Sequence, residues 1–248
     1  MIRINNQASV AAAPNCVIFD LDDTLYPYAP SHAKAMETVR EKAIQSIGLT
    51  AQQFDDAFTE ARKQVKETLK GTASSHSRLL YFQRLLELVG LRSQALLALD
   101  LEQAYWRRFL DEAHLFHGVM EFLDDLRLNG TPIALVSDLT TQIQLRKLVY
   151  LGLDSHFEHI VTSEEAGKEK PDPSPFRLAM NKLGDVGSNI WMIGDNPVAD
   201  IRGARACLNA VTFQKVHDGV RVGEAGDAPD VVFHEFSELR ALFSRLVR

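Results

Sequence analysis

The chain has 248 residues, 46% hydrophobic and 24% charged, which suits one large globular domain or a core carrying an insertion. A net charge of -6 excludes a general nucleic-acid binder, which needs a basic face, and no apolar stretch approaches the length of a membrane span. Two cysteines, Cys16 and Cys207, make no disulfide framework and fit a reducing compartment, so a cytoplasmic location is expected.

Residues 1–15 are polar apart from Val10-Ala11-Ala12-Ala13, lack the apolar core of a signal peptide, and read as a flexible leader. Cys16 to Phe19 then reads as a buried strand that ends abruptly in Asp20-Leu21-Asp22-Asp23-Thr24. Carboxylates this close repel and raise one another's pKa, so such a cluster implies a cation or a reaction that uses it. Asp20 and Asp22 are alternate residues and start on the same face of the strand, where one can attack while the other moves a proton.

From about Ser31 to Ala113 the pattern is helical throughout. The predicted stripes are Met36-Val39-Ala43-Ile47, then Phe54-Phe58-Ala61-Val65 behind a Thr50/Gln53 capping box. Leu79-Phe82-Leu86-Val89 and Leu97-Leu101-Ala104-Tyr105 follow. From Gly118 onward helix and strand alternate. Strands are expected at Ile133 to Val136, His159 to Thr162, Ile190 to Ile193, Ala210 to Phe213 and Val231 to Phe233. Ser174-Pro175 reads as an N-cap with proline at the first helical position, and Leu239, Leu242, Phe243 and Leu246 mark a last helix. Alternation of this kind implies α/β architecture, a parallel sheet with helices on both faces. The first strand precedes the all-helical block, which is therefore an insertion, hinged near Tyr26 to Pro30 and His114 to Gly118 and placed to act as a lid.

Four strand ends carry chemistry. The first is Asp20, Asp22 and Thr24. The second is Ser137-Asp138, a hydroxyl and an acid at the end of the Ile133 strand. In the third, Lys170 lies before Pro171, which holds it extended. The fourth is Gly194-Asp195-Asn196-Pro197-Val198-Ala199-Asp200, a pair of acids that suits Mg²⁺, which takes oxygen ligands.

In this order the four patches resemble the motifs of the haloacid dehalogenase superfamily of hydrolases, over Cys16 to about Phe213. The resemblance implies a Rossmann-like catalytic core over residues 16–28 and 115–248, with a helical cap over 29–114. It implies that Asp20 is the nucleophile and Asp22 the general acid/base, and that Ser137 and Lys170 bind the transferring phosphoryl group. Mg²⁺ would be bound by Asp20, Asp195 and the backbone carbonyl of Asp22, with Asn196 and Asp200 in support. Thr24 and Asp138 are expected at the substrate. The family often has Asn where this chain has Asp138, an extra acid expected to point away or serve another contact.

An acid at Asp22 favours a phosphatase over a dehalogenase, since a halide leaves without a proton. The expected activity is Mg²⁺-dependent hydrolysis of a small phosphorylated metabolite through an aspartyl-phosphate. A sugar phosphomutase using His32 or His76 is the enzymatic alternative, and a non-catalytic scaffold the alternative of another class. The segment Lys70 to Arg78, Gly/Ser-rich and basic, is the candidate specificity loop, with Arg78 as a substrate contact.

Overall fold

The computed structural model describes residues 2–247. In chain order it begins with β1 (Arg3–Ile4), a 3₁₀ turn (Gln7–Val10) and β2 (Cys16–Phe19). The helical block follows as α1 (Tyr28–Ile47), α2 (Ala51–Thr68), α3 (Arg78–Leu88) and α4 (Ala95–Glu112). Then come α5 (Val119–Leu128), β3 (Ile133–Ser137), α6 (Thr141–Tyr150), β4 (His159–Thr162), the single turn α7 (Ser163–Ala166) and α8 (Pro173–Leu183). The chain ends through β5 (Ile190–Gly194), a π-helical turn (Pro197–Arg202), α9 (Gly203–Leu208), β6 (Val211–Lys215), β7 (Val231–Phe233) and α10 (Phe236–Leu246). The chain divides into two compact units: one runs to Pro27 and resumes at His114, and the other is Tyr28–Ala113.

In the first unit a seven-stranded sheet has the order β1-β7-β6-β5-β2-β3-β4, parallel except for β1 on β7. Every residue of β2, β3 and β5 is buried, which is why these strands read as unbroken apolar runs. Side chains alternate between faces. Cys16 and Ile18 pack with Val136, Met192, and Phe176 and Ala179 of α8 on one face. On the other, Phe19 meets Phe122 of α5 edge-on with ring centroids 6.1 Å apart, and Trp191 meets Phe213 at 4.3 Å. Strand β2 lies between β3 and β5, so the chain departs from it to one side and later returns to the other. That reversal is where open α/β sheets place their ligands.

The first fifteen residues are not a loose leader. Arg3 and Ile4 pair with Val232 and Val231, and the Asn5 amide N–H donates to the Asp230 carbonyl at 2.8 Å. The order comes from polar groups at a sheet edge, which a search for apolar periodicity does not register. The cap of α8 also differs from expectation: Asp172 is the N-cap, accepting from the Ser174 N–H, and Pro173 occupies the first helical position.

In the helical unit the Thr50/Gln53 capping box forms as expected. The buried face of α1 is Ser31, Ala35, Val39 and Ala43, with Met36 and Ile47 at its margins. Small residues let the bulky face of α4 (Tyr105, Trp106, Phe109) approach closely. The buried face of α3 is likewise rotated from the expected stripe and includes Arg78 and Tyr81, with Leu79 half-buried. Aromatic partners for Arg78 shift that face in a way hydropathy alone does not show.

Candidate active site

The carboxyl ends of β2, β3 and β5 bring three of the predicted patches together, and the loop before α8 adds the fourth. Asp20 continues the β2 register, its N–H donating to the Ile193 carbonyl at 2.9 Å. The chain then turns away through Asp23, at φ 61°. Thr24 Oγ1 donates to Asp20 Oδ2 at 2.9 Å and reaches Asp195 Oδ1 at 3.5 Å.

Lys170 is the hub. Its Nζ donates to Asp20 Oδ1 at 2.6 Å, Asp200 Oδ1 at 2.7 Å and the Val136 carbonyl at 2.9 Å, with the side chain 2% exposed. Burial pushes its pKa down, but Asp20, Asp200 and Asp138 outweigh it, and the ammonium stays protonated well above the ordinary range. Its backbone N–H donates to Asp138 Oδ1 at 3.0 Å. That is where the extra acid goes: it anchors the backbone that carries Lys170. Burial lifts the Asp138 carboxyl to about 6.

Asp200 approaches because residue 194 is glycine: a Cβ there would lie 2.5 Å from the Asp200 side chain. The Asn196 N–H donates to Asp200 Oδ2 at 3.0 Å, while Asn196 Oδ1 accepts from the Val198 and Ala199 N–H groups, each at 3.0 Å. Asn196 therefore caps the π-helical turn and orients Asp200 at once.

Asp20, Asp195 and Asp200 each offer one carboxylate oxygen, and these lie within 4.8 Å of one another. One ammonium among three carboxyl groups leaves the cluster short of positive charge. Burial, with Lys170 opposing and Asp200 adding to it, lifts Asp20 to about 7. Burial, then Asp200, Asp20 and Asp23, lift Asp195 to about 9. A hard, all-oxygen donor set under mutual repulsion fits a divalent cation such as Mg²⁺.

Asp22 lies outside that cluster. Its Oδ1 and Oδ2 each accept from Lys147 Nζ at 2.7 Å, and its Oδ1 also accepts from the Tyr26 hydroxyl. Burial raises its pKa, but Lys147 and the Tyr26 hydrogen bond outweigh that and hold the carboxyl below its ordinary value. Ser137 is buried at the end of β3, its Oγ accepting from Gln144 Nε2 at 2.5 Å. The sequence marks Tyr26 only as part of a hinge and gives Lys147 and Gln144 no role. A signal for two of them existed: the buried face of α6 is Ile143, Gln144, Lys147 and Leu148, two polar residues in the phase of a core stripe.

The helical unit holds its own buried polar cluster. Arg78 is 8% exposed, and no carboxylate among the described residues pairs with it. Its Nη1 donates to the His76 carbonyl at 2.5 Å, its Nη2 to the Tyr28 hydroxyl, and its Nε has no partner. The guanidinium lies over Tyr81, Tyr105 and Trp106 at 5.5, 5.3 and 5.7 Å from the ring centroids. The Tyr28 and Tyr105 hydroxyls are 3.2 Å apart, and Tyr105 Oη lies 2.7 Å from His32 Nδ1. With Arg78 donating to Tyr28, a consistent relay runs from Tyr28 to Tyr105 and ends on a neutral His32 as acceptor. Burial, then Arg78 and Arg62, hold His32 at about 4, which agrees with that tautomer.

A family model described as a haloacid dehalogenase-like hydrolase matches residues 14–207. A ribulose-1,5-bisphosphate 5-phosphatase of Halopiger xanaduensis is 41% identical over 200 residues, covering 79% of this chain and 83% of the relative. A glyceraldehyde 3-phosphate phosphatase of Methanopyrus kandleri is 32% identical over 234 residues, covering 94% and 98%. Among solved structures, the magnesium-bound hydrolase YfnB of Bacillus subtilis superposes with a TM-score of 0.69 at 21% identity, covering 94% and 99%, a likeness of fold.

Proposed function

The chain belongs to the haloacid dehalogenase-like hydrolases as a phosphatase-type member, and we propose that it hydrolyses a small phosphate monoester through an aspartyl-phosphate on Asp20. The observation that carries this is Lys170, whose buried ammonium touches both Asp20 and Asp200 beside Asp195. A positive charge fixed against a carboxylate nucleophile is what a dianionic phosphoryl group needs in order to approach it.

In the first step a carboxylate oxygen of Asp20 attacks phosphorus and the ester P–O bond breaks. Asp22, ionised at rest beside Lys147 and Tyr26, takes up a proton from solvent as the ester binds and gives it to the leaving oxygen. In the second, water attacks phosphorus, Asp22 takes its proton, and the acyl-phosphate bond to Asp20 breaks. Lys170 and the Ser137 hydroxyl hold the phosphoryl oxygens, and Thr24 orients Asp20. Asp20, Asp195 and the Asp22 backbone carbonyl would hold Mg²⁺, with Asp200 and Asn196 in support; bound there, it neutralises charge on the phosphoryl oxygens. Asp138 takes part by holding the backbone of Lys170.

Relatives named for sugar phosphates make a phosphorylated sugar the first ester to test. Arg78, buried and without a carboxylate partner among the described residues, supports the reading that the helical unit contributes to substrate choice through an anionic group. The direct test is turnover of an aryl phosphate and a panel of sugar phosphates, with Mg²⁺ and after EDTA treatment, together with mass-spectrometric trapping of a phosphorylated Asp20. Turnover restored by added Mg²⁺ and a phosphoryl adduct on Asp20 are expected. Turnover indifferent to chelation would sink the metal assignment, and an adduct elsewhere the nucleophile.

A further inference from the structure

We propose that Lys147 is the positioning residue for Asp22, setting the carboxylate's orientation for proton transfer to the leaving oxygen and from the attacking water. The inference rests on the phosphatase reading above and adds to it a residue that lies outside all four strand-end patches. Lys147 is completely buried on α6, yet its ammonium reaches back across the chain to Asp22, 125 positions away, with both contacts at 2.7 Å. A carboxylate gripped through both oxygens has its plane fixed as well as its position.

Tyr26 completes the grip. It is buried, donates to Asp22 Oδ1, and forms an isolated bridge to Asp22 through the backbone. Lys147 Nζ also lies 6.0 Å from the centroid of the Tyr26 ring, so the ammonium, the ring and the carboxylate form one packed group. Asp22 itself is partly exposed, its side chain at 23%, while its support is at 0%. The reacting side chain thus keeps a solvent-exposed side and rests against a buried lysine of α6 on the other. A side chain with two rotatable bonds beside a reacting centre needs such support, because a misplacement of about 1 Å can reduce a rate about a hundredfold.

Desolvating a lysine for a surface ion pair alone brings little stability, and the same volume is filled by an apolar residue without that penalty. Orientation of a proton-transferring group explains why a charge is kept there. The role is separable from folding because in the first step, the one kcat/KM reads once the leaving group departs, proton transfer matters only for esters whose leaving group is a poor one. A nitrophenolate leaves without a proton, whereas an alkoxide requires one.

The experiment compares kcat/KM for an activated aryl phosphate and for an alkyl phosphate in the Mg²⁺-loaded enzyme, across wild type, Lys147→Met, Lys147→Arg, Asp22→Asn and the double variant. Lys147→Met is expected to lower the alkyl ester rate about tenfold to a hundredfold and the aryl ester rate less than about threefold. Lys147→Arg, which keeps a two-pronged cation, should recover part of the alkyl rate. In the Asp22→Asn background Lys147→Met should cost less than about a further threefold, because the group it orients has lost its function. Equal losses on both esters, full additivity with Asp22→Asn, or a faster alkyl rate would overturn the proposal. Should Lys147→Met prove unstable, Lys147→Gln is read the same way, with thermal unfolding measured alongside. Wild type inactive on both esters would overturn the phosphatase reading, and this proposal with it; wild-type activity with leaving-group-independent variants overturns this proposal alone.

Discussion

Lys170 in the α/β unit and Arg78 in the helical unit are both buried cations, and their surroundings differ in kind. Lys170 touches two carboxylates, and a third carboxylate, Asp195, stands beside them. Arg78 touches a carbonyl and a hydroxyl and faces three aromatic rings, with no carboxylate paired to it among the described residues. The first arrangement has surplus negative charge and suits a cation and a reaction. The second has surplus positive charge and suits recognition of an anion. A buried charge therefore tells its purpose by what is left unbalanced around it.

The most severe way to break the comparison is Asp20→Asn. The amide is nearly isosteric, cannot act as the nucleophile, and removes one charge from a repelling cluster. We expect an aryl phosphate rate reduced at least about a thousandfold with an unchanged circular dichroism spectrum. A rate within tenfold of wild type, on protein free of contaminating phosphatase, would contradict the covalent route.

Removing the two cations should then separate the units by stability. Lys170→Met strands Asp20 and Asp200 without their partner and should lower unfolding free energy by about 3–5 kcal/mol in EDTA, measured by urea denaturation. Arg78→Met strands no carboxylate and should cost only about 1–2 kcal/mol, the loss of hydrogen bonds to the His76 carbonyl and the Tyr28 hydroxyl. Equal losses would show that Arg78 has a charge partner after all.

Arg78→Ala sharpens the functional side. For the best sugar phosphate, kcat/KM should fall by the equivalent of about 1–3 kcal/mol, while a small aryl phosphate is much less affected. Equal losses on the two substrates would move Arg78 into the common machinery or into folding.

The smallest expected effect is a pH dependence from His32. Burial, then Arg78 and Arg62, hold its imidazole at about 4 against the ordinary 6.5, in a setting of the Tyr28 and Tyr105 hydroxyls. As pH falls the unfolded chain takes up this proton first, so the His32 contribution is level above about 6.5 and declines as pH falls from there toward 4. Because the raised carboxyls of Asp20 and Asp138 contribute the opposite trend to both proteins, the test is the difference: across that window the wild-type thermal midpoint should drop relative to that of His32→Gln. Parallel curves would place the imidazolium in the folded protein.

The site was legible in the sequence wherever chemistry ends an apolar strand. Asp20, Ser137 and Asp195 each follow a run that can only be buried, and strand order then brings those ends together. The unbroken apolar runs and the helix-strand alternation announced the parallel sheet, because burial on both faces admits no polar alternation.

What the sequence alone determined is the part governed by local rules: periodicity, caps, and residue types at strand ends. What only the tertiary structure decided is the pairing of groups far apart in the chain. Lys147 meets Asp22, Asp138 turns to the Lys170 backbone, and Arg78 turns inward against aromatic rings. The edge strand at Arg3 forms because Val231 and Val232 are there to receive it. A lysine's sequence context does not say whether it reaches water or a carboxylate. That choice is made by desolvation and by the opposite charge the fold places within about 3 Å, which no local pattern encodes.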